Sequence, residues 1–512
     1  MKNIKHKIGD LLESEKFSSA TMTAMIIAVV LVANTVIFMV FSLLGWQISP
    51  AISEDFSISG NLDETLDQAG KAGQKITIMF CYPSEREVRE HGTGGYVYRT
   101  AKEFEKKYPG VVEIKYVNII TNTDSDGNHV DVSEYATDRE GNETPIRKSS
   151  VIFICGENYR VLTDLTTDAG YSNFYTLDYS GSDPVAIAYN GEEVMASAIS
   201  WVLQDEHKTA YFTMGHGESI DPSFASLVSN AGYFVSTVDL KSADVDPKSV
   251  DLLIISNPKT DFEASDKNTN AKSESDRLEF YLESGGNLFV MLNSLAGELP
   301  VLESMLADNG ISLSYSENAD GDRAVNVVRD LDASIVPSGY TIAADFPDNP
   351  VGRTIADNVR RFSGGRVILG DVPALRLSGD AQPLLVSTSG AELFAHGAQT
   401  DNSGSYPLAA YSTVTGKDGT IGRIVVIPTA QMATTAALIT NGYANKDFLY
   451  SIFECLYKVE LLPYGSSIIS FDTTILEGLT MGTANLYTAL LLAIPAMIAS
   501  AGAVILIRRK NR

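Results

Sequence analysis

The sequence predicts an α/β protein: two units of alternating strands and helices, held outside the cytoplasm between two membrane-spanning helices. Three observations carry this reading. Uncharged runs at 22–46 and 483–507 each exceed the roughly 20 residues a helix needs to cross the hydrocarbon layer. Between them, short apolar or β-branched runs alternate with stretches of helical spacing. Finally, Lys2, Lys5, Lys7 and Lys16 precede the first run, and Arg508, Arg509, Lys510 and Arg512 follow the second. Positive charge favours the cytoplasmic side of a span, so both termini are expected inside.

The first run is read as an uncleaved anchor. A cleaved signal peptide has an apolar core of about 7–15 residues and a small-x-small site, and Ser42-Leu43-Leu44-Gly45-Trp46 supplies no such site. Gly482, Pro495 and Gly502 interrupt the second run, but its length and the basic tail behind it favour a span, where Gly and Pro are tolerated. The expected organisation is a cytoplasmic segment 1–21, a span 22–46, a first extracytoplasmic unit 47–205, a second unit 206–465, a tether 466–482, a span 483–507 and a cytoplasmic tail 508–512.

Composition narrows the function classes. The chain carries 39 Lys and Arg against 64 Asp and Glu, a formal net charge of −25. Because the short cytoplasmic ends are basic, the part between the spans is more acidic still. Such a surface repels phosphate backbones, so no nucleic-acid partner is expected. Three cysteines do not make a disulfide framework. Cys455 lies in the apolar run 448–461 and reads as a small hydrophobe, whereas Cys81 and Cys155 each end a strand-like run.

In the first unit, Lys75–Tyr82 is a compact apolar strand, Gly94–Tyr108 a helix stopped by Pro109-Gly110, and Val111–Ile119 an alternating strand. Thr121–Thr144 reads as a polar loop. Ser149–Cys155 and Asn158–Asp164 form a hairpin about Gly156, and Gly191–Leu203 is an amphipathic helix with Val194, Ala198 and Val202 on one face. Strand, helix, strand, hairpin, helix is the order of a thioredoxin-like unit. Cys81-Tyr82-Pro83-Ser84 then stands where thioredoxins carry paired cysteines. Ser84 replaces the resolving thiol, so dithiol chemistry is not expected.

The second unit opens with strand Thr209–Thr213 and the turn Met214-Gly215-His216-Gly217-Glu218. Helix Pro222–Ala231 and strands Tyr233–Leu240 and Val250–Ser256 follow. A polar loop, Asp261–Glu274, leads to helix Ser275–Ser284, capped by Gly285-Gly286, then strand Asn287–Leu292 and helix Leu299–Asn309. This alternation predicts a parallel, doubly wound sheet. Segments 314–328 and 341–360 show no clear pattern. Leu384–Ser387, Leu408–Thr413 and Arg423–Ile427 read as strands of the same or an adjoining sheet, and Asn445–Leu461 as a closing helix.

Candidate chemistry gathers at the carboxyl ends of the second unit's strands, where open α/β sheets place their ligands. His216 and Glu218 have the residue types of an acid/base pair or ligand site. They equally suit a tight glycine turn with polar caps. Asn257, Asn293 and Ser294 follow neighbouring strands, and Ser294 holds the place of a nucleophile in amidotransferase-like domains. A serine there needs an activating base, and the one histidine that follows at a plausible spacing, His396, stands in an ordinary strand-edge context. No catalytic residue, metal ligand or cofactor is therefore assigned, and no Walker A pattern is present.

The chain resembles the auxiliary components of ABC transport systems of the gliding-motility type, the GldG family. The stretches that carry the likeness are Asn190-Gly191-Glu192-Glu193, Ala210–Glu218, Val250–Lys259, Arg277–Leu292, Leu299–Gly310, Gly422–Ile427 and Asn445-Lys446-Asp447-Phe448, with the flanking spans. It covers most of the chain from about Lys75 onward. The polar stretch Asp261–Asp276 is longer than the family pattern. The resemblance implies a bacterial plasma-membrane protein with a thioredoxin-like unit and a flavodoxin-like, amidotransferase-like unit lacking the catalytic Cys. Its implied partners are membrane lipid, a separate permease and a separate ATP-binding subunit, with the cargo unidentified. A membrane-anchored hydrolase using Ser294 or His216, and an envelope sensor or binding module, are the alternatives.

Overall fold

The computed structural model describes residues 56–137, 143–165, 172–265, 272–293, 297–401, 403–440 and 442–471. Both expected spans and Ser294 lie outside the described residues. Among the described residues no helix is long and apolar enough to cross a membrane.

The first sheet begins after helix α1 (Asp63–Lys71), which buries Leu66 and Ala69. Strand β1 (Ile76–Phe80) leads through α2 (Glu85–Glu90) and α3 (Gly94–Lys107) to β2 (Val112–Asn118) and the short β3 (Thr123–Asp124). The hairpin β4 (Val151–Cys155) and β5 (Asn158–Leu162) completes a sheet of order β3-β2-β1-β4-β5. β1 runs parallel to β2 and antiparallel to β4. Alternation sorts its side chains: Ile76, Ile78 and Phe80 join the helix-covered core, whereas Met79 packs with Val117, Val132 and Ile152 on the other face.

A second hairpin, β6 (Tyr175–Asp178) and β7 (Val185–Tyr189), precedes α4 (Gly191–Val202). α4 was expected to be amphipathic, but all twelve of its residues are buried. It packs on the first sheet and also against the helix that opens the second, so no side of it faces water. That double cover overrides the three-residue apolar face visible in the sequence.

The second sheet takes β8 (Lys208–Met214), α5 (Pro222–Asn230), β9 (Tyr233–Asp239), β10 (Leu252–Ser256), α6 (Glu274–Glu283), β11 (Asn287–Met291) and α7 (Pro300–Asp308) in alternation. After a run of short hairpins and helix α8 (Pro350–Phe362), strands β12 (Gln382–Val386), β13 (Pro407–Thr415) and β14 (Ile421–Ile427) join the same sheet. Helix α9 (Asn445–Tyr457) follows them. The seven strands lie in the order β12-β13-β14-β11-β10-β8-β9. β14, β11, β10, β8 and β9 are mutually parallel, and β13 and β12 close that edge in antiparallel sense.

Helices cover both faces. On one, Leu252 and Ile254 of β10 meet Phe224 and Leu227 of α5 and Phe448 and Phe453 of α9. On the other, Leu253 and Ile255 meet Leu278 and Leu282 of α6 and Leu302 and Leu306 of α7. This is why β10 is buried at every position: a strand covered on both faces has no solvent side.

Several expectations change. Segment 341–360, unpatterned in the sequence, contains most of α8, capped by the Asn349 side chain accepting from Gly352 N–H, with Pro350 in the first turn. The polar stretch 121–144 contains β3 and a 3₁₀ turn at Val132–Tyr135. The stretch expected as a free tether begins inside the fold, because β15 (Ile469–Ser470) pairs antiparallel with β7. Cys81 and Cys155 lie at opposite ends of the β1–β4 ladder. At about 3.3 Å per residue they stand roughly 16 Å apart, too far for a disulfide, and both are free.

Candidate functional site

The strand order reverses between β8 and β10, so the carboxyl end of β8 is where an open sheet of this kind presents a ligand crevice. The turn there is Met214-Gly215-His216-Gly217-Glu218. Gly215 and Gly217 adopt φ of 114° and 68°, which side chains resist. The resulting curl turns the His216 side chain inward, where it is 1% exposed.

His216 is enclosed on every side. Its Nδ1 lies 3.2 Å from Glu218 Oε1, and its Nε2 lies 3.0 Å from Glu274 Oε2. The ring stacks on Phe262 at 3.9 Å. Its carbonyl accepts from the Lys259 and Thr260 N–H groups at 2.8 and 3.0 Å. Glu218 is held by the His216 N–H at 2.7 Å and the Thr213 hydroxyl at 3.0 Å, while Glu274 accepts from Glu263 N–H at 2.8 Å. A neutral imidazole carries one N–H, so both ring contacts can be hydrogen bonds only if one more proton sits on the ring or a carboxyl group. A histidine so satisfied has the geometry of a core clasp rather than of an open acid/base site. It fastens the turn after β8 to the loop after β10 and to the first turn of α6.

Glu274 is the partner the sequence did not supply. The sequence places it at the end of a polar loop, yet it opens α6 and is completely buried. The capping box formed by Ser273 and Asp276 marks that helix start locally. No local signal marks its contact with a histidine 58 residues earlier.

Asn257 follows β10 in the left-handed region (φ 57°), and its N–H donates to Met291 carbonyl at 2.8 Å. It reads as a turn residue, although its buried amide oxygen lacks a partner. Asn293 follows β11 and lines a slot of about 20 Å³ with Leu299, Glu303 and Tyr315, room for about one water molecule. His216, Asn257 and Asn293 thus sit at the ends of adjacent strands, and among the described residues the slot at Asn293 holds neither His216 nor Asn257.

A second cluster arises where two of the peptides quoted for the family resemblance meet. Glu193, on α4, receives Lys446 Nζ at 2.9 Å and the Tyr450 hydroxyl at 2.5 Å, both from α9. Asn230 of α5 donates to it at 3.3 Å. Burial pulls the Lys446 ammonium down, but the facing Glu193 and Asp447 carboxylates outweigh it and hold the group above its ordinary range. Burial pushes Asp447 up, against the attraction of Lys446. The neighbouring Glu192 accepts from Ser59 N–H at 2.6 Å through one oxygen and from Ser467 N–H and hydroxyl at 2.7 Å through the other. One side chain therefore ties together two segments more than 400 residues apart, at Ser59 and at Ser467. Around it Phe56 and Phe471 each lie 5.6 Å from the Tyr96 ring.

The Cys81 thiol is fully buried and pushed up to about 12 by desolvation, so it is not poised as a nucleophile.

No protein-family model matches the chain, and no curated protein matches it. Among solved structures, the mmIFT52 N-terminal domain is 18% identical, with 48% of this chain and 96% of that one covered and a TM-score of 0.36. An exo-β-1,4-mannosidase from an Opitutaceae bacterium is 12% identical, covering 52% of this chain and 39% of that one, with a TM-score of 0.26. A thua-like protein from Bacteroides uniformis is 13% identical, covering 48% and 89%, with a TM-score of 0.29.

Proposed function

We propose that this chain is a non-catalytic, doubly anchored auxiliary subunit of an ABC transport system of the GldG type, working with a separate permease and a separate ATP-binding subunit. Its folded body would stand on the outer side of the bacterial plasma membrane. The observation that carries this reading is the convergence of the body's two ends. Residues 56–59 and 467–471 lie side by side, bonded to Glu192 and packed on Tyr96. A body with adjacent ends can be held against one membrane surface by two neighbouring spans, whereas ends on opposite poles could not.

The finer fold reading belongs here as well. The order β2-β1-β4-β5, with β1 and β2 parallel and β4 and β5 antiparallel, supports a thioredoxin-like first unit. The order β9-β8-β10-β11-β14 supports a flavodoxin-like, amidotransferase-like second unit. The enclosed His216 clasp and the buried Cys81 support a scaffold rather than an enzyme. The test is co-purification of the full chain in mild detergent after gentle cross-linking. Recovery of a permease and an ATP-binding protein is expected, and repeated recovery of neither would overturn the proposal.

A further inference from the structure

We propose that Arg160 marks a binding pocket for a small carboxylic acid with a flat apolar body, set between the first sheet and strand β9. The cavity measures about 270 Å³, and Asn158, Arg160, Trp201, His207, Ser229 and Phe234 are among its walls. That is near the lower end of the range for small-molecule sites, many of which also lie between structural units.

The charge balance is what singles it out. Arg160 Nη1 donates to Ser197 Oγ at 2.8 Å, and Nη2 lies 3.2 and 3.5 Å from the Ser229 hydroxyl and carbonyl. Its guanidinium stands over the Trp201 ring at 4.7 Å. These partners are all neutral. Among the described residues no carboxylate lies within ion-pair distance, although the chain has a net charge of −25. Lys446, the buried cation of the cluster at α9, has Glu193. Burial pulls the guanidinium down to about 10, with no facing carboxylate to hold it up. A guanidinium has five N–H groups, and those bonds leave donors over for a planar anion.

The walls select the class. His207 stacks on Trp201 at 3.7 Å, and Phe234 meets the edge of both rings. An aromatic wall beside a single fork-shaped cation suits a flat monoanion. No lysine is among the lining residues to balance a phosphate dianion. The ligand would touch α4 and β5 on one side and Ser229 and Phe234 on the other, and so would bear on how the two sheets are held together.

The chain has two tryptophans, Trp46 and Trp201, so W46F in the full-length protein leaves Trp201 as the reporter. Benzoate, its neutral analogue benzamide and inorganic phosphate are titrated at constant ionic strength while Trp201 emission is followed. Saturable change with benzoate is expected, with benzamide and phosphate binding at least tenfold more weakly. R160Q keeps a hydrogen-bonding side chain but loses the charge and should weaken benzoate at least tenfold, with near-UV circular dichroism confirming the fold. R160K, which keeps a point charge without the fork, should fall between the two and serves if R160Q does not fold. Absence of saturation with benzoate, equal binding of benzamide, tighter binding of phosphate, or unchanged affinity in both variants would each overturn the proposal. None of these readings depends on a transporter partner.

Discussion

Replacing Lys446 by Met removes the cation that neutralises Glu193 where α4 meets α9. The pair is tight and dry: 2.9 Å apart, with side chains 10% and 6% exposed. At such a distance, with an effective dielectric constant near 20, the attraction is on the order of 5 kcal/mol. Met fills most of the space but leaves Glu193 with only the Tyr450 hydroxyl and Asn230 amide. Stranding a buried charge in this way costs about 3–5 kcal/mol. For a body of this size about 2 °C is lost per kcal/mol, so the full chain should melt about 6–10 °C lower. The double variant E193Q/K446M removes both charges and should recover most of that loss, because well-packed neutral replacements of buried pairs are close to neutral. Lys446 also donates to the Ser466 carbonyl at 3.1 Å, so the single variant should expose 466–471 to protease before the rest of the body unfolds. Thermal unfolding followed by circular dichroism, with limited proteolysis in parallel, gives both readings. If the double variant melts no higher than K446M, the stranded carboxylate is not what destabilises it and the reasoning fails.

H216Q should destabilise the body by about 2–4 kcal/mol, since two buried carboxylates lose a partner at once. Complementation by whatever fraction folds should be normal, and loss of function at full fold would favour an acid/base role instead. G422A places a methyl group 2.5 Å from the Leu282 carbonyl and 2.7 Å from that of Gly286, so β14 must shift; chemical denaturation should show at least about 2 kcal/mol lost. The buried Cys81 thiol and the Tyr450 and Tyr457 hydroxyls are all raised by desolvation. Folded groups that hold their protons more tightly than unfolded ones contribute stability present below the unfolded values and lost as pH rises. The melting temperature should therefore fall steeply from about pH 9 towards pH 12, and a flat profile would contradict the burial of these groups. A reporter inserted near Ser265 should read as extracytoplasmic, and cytosolic activity there would remove the double tether.

Much of the fold was legible because its signals are local. β10 announces itself by the apolar run Leu252–Ile255, and α5 by Asp221 before Pro222, a cap whose side chain accepts from Ser223 N–H. Helix α8 carried the same kind of start signal at Asn349-Pro350, and its buried Gly352, Ile355, Ala356 and Val359 stand at helical spacing, so this helix too was written locally although the stretch reads as unpatterned by eye. The hairpin β6–β7 was hidden for another reason. Tyr175, Thr176 and Leu177 are buried in succession, so its strands lack the alternation that marks a half-buried hairpin, and the strand β15 that pairs with β7 comes some 280 residues later.

The candidate site divides along the same line. His216 and Glu218 stand two residues apart, so a glycine turn that brings them together was written in the peptide. Whether that turn opens to solvent depended on Phe262 and Glu274, placed by a loop and a helix start that only the packed sheet positions. The charge of Glu193 was likewise visible, and its meeting with Lys446 was not, because 253 residues separate them.

By itself the sequence determined the alternation of strands and helices, the acidic surface, and the apolar runs that set the expected topology. Periodicity, charge and turn chemistry act over a few residues and can be read in order along a chain. Tertiary structure alone decided that α4 is buried on all sides, that His216 is locked between two carboxylates, and that Ser59 and Ser467 meet at Glu192. Each of those facts is a meeting of distant segments, fixed by which faces must be covered to keep water out.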